Sequence, residues 1–280
     1  MNNKMWWLAS NNTISYYFQD DFTGCDVVAG ALTGWSSTLT QPTIIDSYYF
    51  NNGTTNPAYA YQDIVTDAGR DVLYARIIED APSAGTSRAQ MTWDLLQAIP
   101  VYHTSHRMKM HPDIANLSDY SLSVRWFTLF EMWNLHDDSQ GGDPAGSSRI
   151  SFSLFKDAGA GQNLFWHLAH EQMQPTESII WQQENRVANI PFDQWFTLDI
   201  YMIHGTTSTG KTKFVLTPDG GSPVTLFDVT NSNAYPGKPE LYINQWQIFK
   251  LYSSPSIMTW MTGQGNEMSI MYNDVKWYKS

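Results

Sequence analysis

Cysteine is almost absent from this chain of 280 residues, where Cys25 stands alone. That excludes an internal disulfide framework and a thiolate metal cluster, and leaves folding compatible with a reducing compartment. Basic residues are scarce, 16 Lys and Arg against 27 Asp and Glu, giving a net charge of −11. With no basic stripe or Lys/Arg block anywhere, nucleic acid is excluded as a partner. Long apolar runs are missing too. Met5 to Ala9 is too short for a secretory signal, and nothing approaches the length of a membrane span, so membrane insertion is not expected. The protein is therefore expected outside the cell or in the periplasm if a signal has been removed. The alternative is release by lysis, as for a virion-associated component. Repeats, low-complexity tracts and linkers are absent, and helix signals are poor. Only the segment from Thr92 to Ala98 reads as a helical turn or two before Pro100 stops it.

Aromatic residues are what the chain has in abundance. Twelve Trp, fifteen Tyr and thirteen Phe make up 14% of it, while only 15% is charged. Such residues suit pleated, half-buried surfaces; most belong to a core, and a surplus of Trp and Tyr makes flat platforms for sugar rings. Short β-rich runs alternate with Gly-, Pro-, Asp- and Ser-rich turns. Strands are expected at Val72 to Ile78, Ser87 to Trp93, Thr104 to Met110, Ser121 to Asn134 and Arg149 to Phe155. Further strands are expected at Asn163 to His170, Trp195 to Ile203, Lys211 to Leu216, Tyr242 to Tyr252 and Glu267 to Tyr278. This pattern predicts an all-β fold, an antiparallel β-sandwich jelly roll, with residues 20–280 as one domain behind an extension of residues 1–19. In a jelly roll the first and last strands commonly pair, which would bring Asp21 near Asp274.

Alternation along the strands picks out candidate site residues. Arg88, Gln90 and Thr92 share a polar face opposite Ala89, Met91 and Trp93, as expected of a cleft floor. From Arg125 to Asn134, strict alternation puts Trp126, Thr128, Phe130 and Met132 on one face, and Phe127, Leu129, Glu131 and Trp133 on the other. Glu131 lies in an apolar, aromatic run, where burial is expected to raise its pKa. An acid held protonated beside a Trp is what a general acid for glycosidic cleavage needs. Near the C-terminus, alternation groups Trp246, Ile248, Lys250 and Tyr252 opposite Gln247, Phe249 and Leu251, with Lys250 and Tyr252 toward the cleft. A Tyr can act as acid or base in β-elimination, and a Lys can neutralise a uronate carboxylate. His106 and His170 are candidates for the cleft edge. Hydrolysis by two carboxylates would need a partner for Glu131, from Asp94, Glu171 or Glu184.

The segments DDFTG, GTSRAQ, FTLFEMWN, PFDQWFTLDIYMIHG, IFKLYSS and IMYNDVKWY, in this order, resemble the concanavalin A-like lectin and glucanase superfamily. They are most similar to its jelly-roll polysaccharide lyases, of the alginate and heparin lyase types, from about Asp20 to Tyr278. The resemblance implies a glycan groove on the concave face of one sheet, lined by Arg88, Gln90, Glu131, Trp133, Lys250 and Tyr252. In the alginate lyase pattern Arg88 matches an Arg whose companion Glu is replaced by Gln90. Glu131 and Trp133 stand where that family has Gln and its catalytic His, Lys250 fits its Lys, and Tyr252 comes two residues early. The resemblance requires no cofactor but implies a structural Ca2+ near the paired ends, for which Asp21 and Asp274 offer hard oxygen ligands. Three readings follow: an enzyme that cleaves a polysaccharide by hydrolysis or elimination, with Glu131 as acid/base, His170 and Tyr252 as further catalytic groups and His106 binding substrate; a non-catalytic lectin-like module; and a virion structural or adhesion protein.

Overall fold

A computed structural model describes residues 16–28, 31–33, 45–52, 58–79, 87–95, 100–134, 147–173, 176–234 and 243–278. The chain begins with β1 (Tyr16–Asp20), β2 (Asp26–Val28), β3 (Ala31–Thr33), β4 (Ile45–Asn52), β5 (Ala60–Asp67) and β6 (Arg70–Ile77). Then come β7 (Ser87–Leu95), β8 (Val101–Met110), a 3-10 segment (Pro112–Asp119), β9 (Val124–Asn134), β10 (Ser148–Lys156), β11 (Phe165–Gln172) and β12 (Ser178–Asn185). The remainder is β13 (Phe196–Ile203), β14 (Lys211–Pro218), β15 (Val224–Thr230), β16 (Gln245–Ser253), α1 (Pro255–Gly263) and β17 (Met268–Tyr278).

Two antiparallel sheets form the body. The first has the order β15-β14-β13-β8-β17-β6-β5, with β1 also paired to β17; the second has the order β12-β11-β10-β9-β16-β7-β4. The first and last strands pair as the jelly-roll pattern predicts, Asp20 opposite Val275. Because β1 starts at Tyr16, the sheet begins ahead of the expected boundary at residue 20. All ten predicted strands are present, and the hairpin β13–β14 runs in register from Phe196↔Pro218 to Ile203↔Lys211. The turn expected over Thr92 to Ala98 is corrected in its first half: Thr92 to Leu95 belong to β7, whose ladders with β16 and β4 outweigh a weak local helix signal. Its last residues, 96–98, lie outside the described residues. The helix α1 escaped notice, although Ser254 at the N-cap and Pro255 in the first turn are a start signal.

Aromatic residues fill the space between the sheets. Trp246 stacks on Trp277 at 4.1 Å, and Phe152 stacks on Trp166 and Phe214 at 5.1 and 4.7 Å. Each such ring removes a large apolar area from water and adds ring–ring attraction.

His106 and His170 belong to this interior. His106, on β8, is 1% exposed and lies among Phe130, Phe249 and Tyr272. His170, on β11, is fully buried against Trp181. Neither reaches the outer face of a sheet, which corrects their assignment to the cleft edge. Burial disfavours the imidazolium and pulls both down to about 4.

Asp21 and Asp274, the expected calcium ligands, are engaged with groups of the protein. Asp21 Oδ1 accepts from the backbone N–H of Thr23, and both carboxylate oxygens of Asp274 take the Lys276 ammonium, at 2.8 and 2.9 Å. Asn273 ties the ends together, its Nδ2 donating to the carbonyls of Asp21 and Asp71. Among the described residues no group of three or more His, Cys, Asp or Glu side chains is disposed to hold a metal ion.

Candidate functional site

The second sheet turns a polar face away from the core. Pairing aligns its residues in rows that cross the strands, and paired residues share a face. One row runs Arg88, Tyr252, Thr128, Ser153, His167, Glu184; the next Thr92, Gln247, Glu131, Ser151, Ala169, Gln182; the third Gln245, Trp133, Arg149, Glu171, Ile179. On β7 the prediction holds, since Ala89, Met91 and Trp93 are core while Gln90 and Thr92 stand opposite, Gln90 Nε2 donating to Thr92 Oγ1 at 3.3 Å.

On β16 the alternation breaks, and the break makes the site. Phe249 has φ +53° and both neighbouring ladders skip there, the mark of a β-bulge. Trp246, Ile248, Phe249 and Leu251 all enter the core, while Gln245, Gln247, Lys250 and Tyr252 share the polar face. Lys250 and Tyr252 are therefore where alternation put them, but Gln247 joins them and Trp246 and Ile248 do not. Backbone carbonyls at the bulge bond across the sandwich instead: Tyr272 Oη donates to Lys250 O at 2.7 Å, and Gln62 Nε2 to Phe249 O at 3.2 Å. A second register shift, between Phe152 and Ser153 on the β9–β10 ladder, moves Thr128 and Trp126 to the polar side. Phe127 and Leu129 go to the core.

Glu131 sits at the centre, 2% exposed. Its Oε2 accepts from Lys250 Nζ at 2.5 Å and Trp133 Nε1 at 2.8 Å, and Arg149 Nη1 lies 3.4 Å from Oε1. Burial alone would push this carboxyl up. The Lys250 ammonium, the Arg149 guanidinium and the two hydrogen bonds outweigh it and hold the group below its ordinary value. Glu131 is thus a carboxylate and not the protonated acid that its apolar sequence neighbours suggested, because they face the core and it does not.

Lys250 Nζ donates also to Gln247 Oε1 at 2.6 Å. Burial pulls the amine down to about 8, against the upward pull of Glu131. Tyr252 is only half-buried, with the Lys250 ammonium 5.1 Å and the Arg88 guanidinium 5.2 Å from its ring centre. Burial pushes its hydroxyl up, and Arg88 opposes this in part.

Arg149, which strand alternation in Arg149 to Phe155 could have exposed as a lone cation among Ser151 and Ser153, was overlooked. Its Nε donates to Glu171 Oε2 at 2.7 Å, its guanidinium lies 5.3 Å from the Trp133 ring centre, and Ser151 Oγ also donates to Glu171. Of the three carboxylates considered as partners for Glu131, Glu171 is thus brought beside it through Arg149. Glu184 lies one strand further out, on β12, where it accepts from Arg186. The Asp94 side chain lies outside the described residues. His167 stacks on Phe155 at 3.8 Å and bonds Gln182 at 3.1 Å. Beyond the Glu131–Arg149 centre, the face opens into a depression of about 550 Å³ near Trp126, Phe155 and Ile179.

Neither a protein-family model nor a curated protein sequence matches the chain. Solved structures match it along nearly its whole length. The marine alginate lyase from Aplysia kurodai superposes with a TM-score of 0.55 at 9% identity, over 95% of this chain and all (100%) of that one. A glycoside hydrolase family 16 structure from the Bacteroides ovatus mixed linkage glucan system gives 0.51 at 13% identity, over 93% and 99%. β-Agarase B from Zobellia galactanivorans gives 0.50 at 10% identity, over 95% and 94%. At such identities the likeness speaks for the fold alone: this chain is an antiparallel jelly-roll β-sandwich, an architecture it shares with these polysaccharide lyases and glycoside hydrolases.

Proposed function

We propose that the polar face of the second sheet binds an acidic polysaccharide and cleaves it by β-elimination, with Lys250 as base and Tyr252 as acid. The observation that carries this is that Lys250 and Arg88 lie 5.1 and 5.2 Å from the centre of the Tyr252 ring, on a face where Glu131 holds the lysine. The fold neighbours support a polysaccharide as substrate, since one is an alginate lyase and another a glycoside hydrolase of mixed linkage glucan.

The Lys250 ammonium has three N–H bonds, and two are committed to Glu131 and Gln247. Loss of the third proton near pH 8 leaves a lone pair at the remaining position. This neutral amine takes the proton at C5 of a uronate whose carboxylate rests on Arg88. The C5–H electron pair becomes the C4=C5 double bond, the C4–O bond breaks, and the Tyr252 hydroxyl gives its proton to the leaving oxygen. The two groups regain their starting states by exchange with water. Their pKa directions suit these roles, because a lysine brought down toward neutrality is an effective base and a tyrosine pushed up keeps its proton to give. Hydrolysis by paired carboxylates is the weaker reading, because its neighbours hold Glu131 below its ordinary value and leave it no proton to give.

The test is incubation with uronate polysaccharides, following absorbance of the unsaturated product, for the wild type, Tyr252→Phe and Lys250→Arg. Arginine keeps the charge but cannot serve as a base. The expected result is unsaturated product from the wild type, loss of turnover by at least about 100-fold in both variants, and polymer binding retained in Tyr252→Phe. Full activity of a folded Lys250→Arg would reduce Lys250 to a charge partner. Binding with no product in the wild type would leave a glycan-binding module.

A further inference from the structure

The polar face changes character from one side to the other. On β7 and β16 stand Arg88 and Lys250; on β11 and β12 stand Glu171 and Glu184, with Glu177 just ahead of β12, around the depression beside Trp126, Phe155 and Ile179. Among the described residues, every cation around the depression already meets a carboxylate. Arg125 meets Asp157 at 3.1 Å, Arg149 meets Glu171 and Glu131, and Arg186 meets Asp157 and Glu184. Glu177, 53% exposed, has only the edge of Arg149 at 3.8 Å. A sugar seated here finds Trp126 and Ile179, 43% and 55% exposed, as apolar surface and Gln182 as a hydrogen-bonding amide. A carboxylate seated here would meet the half-exposed Glu177, while Glu171 and Glu184 are paired with Arg149 and Arg186, and Arg125 with Asp157.

We infer that the depression is a subsite for an uncharged sugar, so that the substrate is a heteropolysaccharide alternating uronate with a neutral hexose or N-acetylhexosamine rather than a uniform polyuronate. This rests on the uronate reading of the Arg88–Tyr252 end. A carbohydrate ring has apolar C–H faces that pack on Trp126, whereas a second uronate would add like-charge repulsion at a half-exposed site. That costs about tenfold in affinity at low salt and less as salt screens it.

The experiment measures binding and cleavage of length-matched oligosaccharides of hyaluronan, which alternates glucuronate with N-acetylglucosamine, and of alginate, in which every residue is a uronate. Wild type, Arg88→Ala, Trp126→Ala and the double variant Glu177→Gln/Glu184→Gln are compared at low and high salt, each checked for folding by its thermal transition. The expected result is about tenfold tighter binding of the hyaluronan oligosaccharide, a gap that narrows with salt and closes in the double variant through gain of alginate binding. Trp126→Ala weakens the hyaluronan oligosaccharide most. Alginate bound as tightly as hyaluronan by the wild type, with Arg88→Ala abolishing both, overturns this inference and leaves the elimination reading standing. Failure of either polymer to bind, with Arg88→Ala without effect, overturns both.

Discussion

Lys250 Nζ lies 2.5 Å from Glu131 Oε2, and the two side chains are only 4% and 2% exposed. A contact this dry makes the two groups one titrating unit: each sets the proton affinity of the other, and neither can be removed without stranding its partner.

The first consequence concerns pH. In the wild type, kcat/KM should rise as Lys250 loses its proton through about 8 and fall only where Tyr252, pushed above the ordinary tyrosine value, gives up its own. Glu131 pulls the lysine up, so Glu131→Gln should move the rising limb to lower pH and raise activity at pH 7 relative to pH 9. A pH–rate profile of both proteins checks this. If Glu131 were the proton donor to the glycosidic oxygen, the variant would instead be inert at every pH.

The second consequence concerns stability. Glu131→Gln and Lys250→Met should each cost about 3–5 kcal/mol at pH 7, because each leaves a charge buried without its partner. The double variant should cost clearly less than the sum, since both charges are gone. Urea unfolding of the four proteins gives the coupling. Additive losses would show that Arg149 and Gln247 already satisfy each member alone.

The same region shows where sequence reading succeeds and where it stops. All ten predicted strands, the pairing of the chain ends and the polar face of β7 were legible, because alternation and turn chemistry are local signals. Placement of Trp246, Gln247, Thr128 and Trp126 was not, because one extra residue in a strand reverses every face beyond it. What fixes the bulge at Phe249 is a tyrosine and a glutamine from the opposite sheet, 23 and 187 positions away in the chain. Glu131 was misread for a related reason. Its sequence neighbours are apolar, but its spatial neighbours Lys250 and Arg149 come from two other strands.

The bulge itself is open to test. A non-glycine residue at φ +53° carries a steric cost of about 1–2 kcal/mol that glycine avoids. Phe249→Ala and Phe249→Gly both lose the ring packed on Phe22, Trp93 and Tyr272, but only the glycine variant sheds that strain. The expected order is Gly more stable than Ala by about 1 kcal/mol, the reverse of the order in an ordinary strand. Tyr272→Phe should cost about 1–3 kcal/mol by leaving the Lys250 carbonyl buried and unmet. Thermal unfolding of the three variants decides it, and Ala at least as stable as Gly would mean that the strain is absent in solution.

Acid should loosen the sandwich from the inside, through the two core histidines. His106 and His170 each stand at about 4 in the folded protein against an ordinary 6.5. As pH falls below 6.5 the unfolded chain takes up these protons first, so stability is present above about 6.5 and lost progressively toward 4. The difference amounts to about 3 kcal/mol for each residue. His106→Leu keeps an apolar side chain of similar size among Phe130, Phe249 and Tyr272 and removes one titrating group. Between pH 7 and pH 5 it should lose about 2 kcal/mol less stability than the wild type, measured as the free energy of urea unfolding. Equal losses in the two proteins would mean that His106 meets its proton inside the fold, and that carboxylates alone govern acid unfolding.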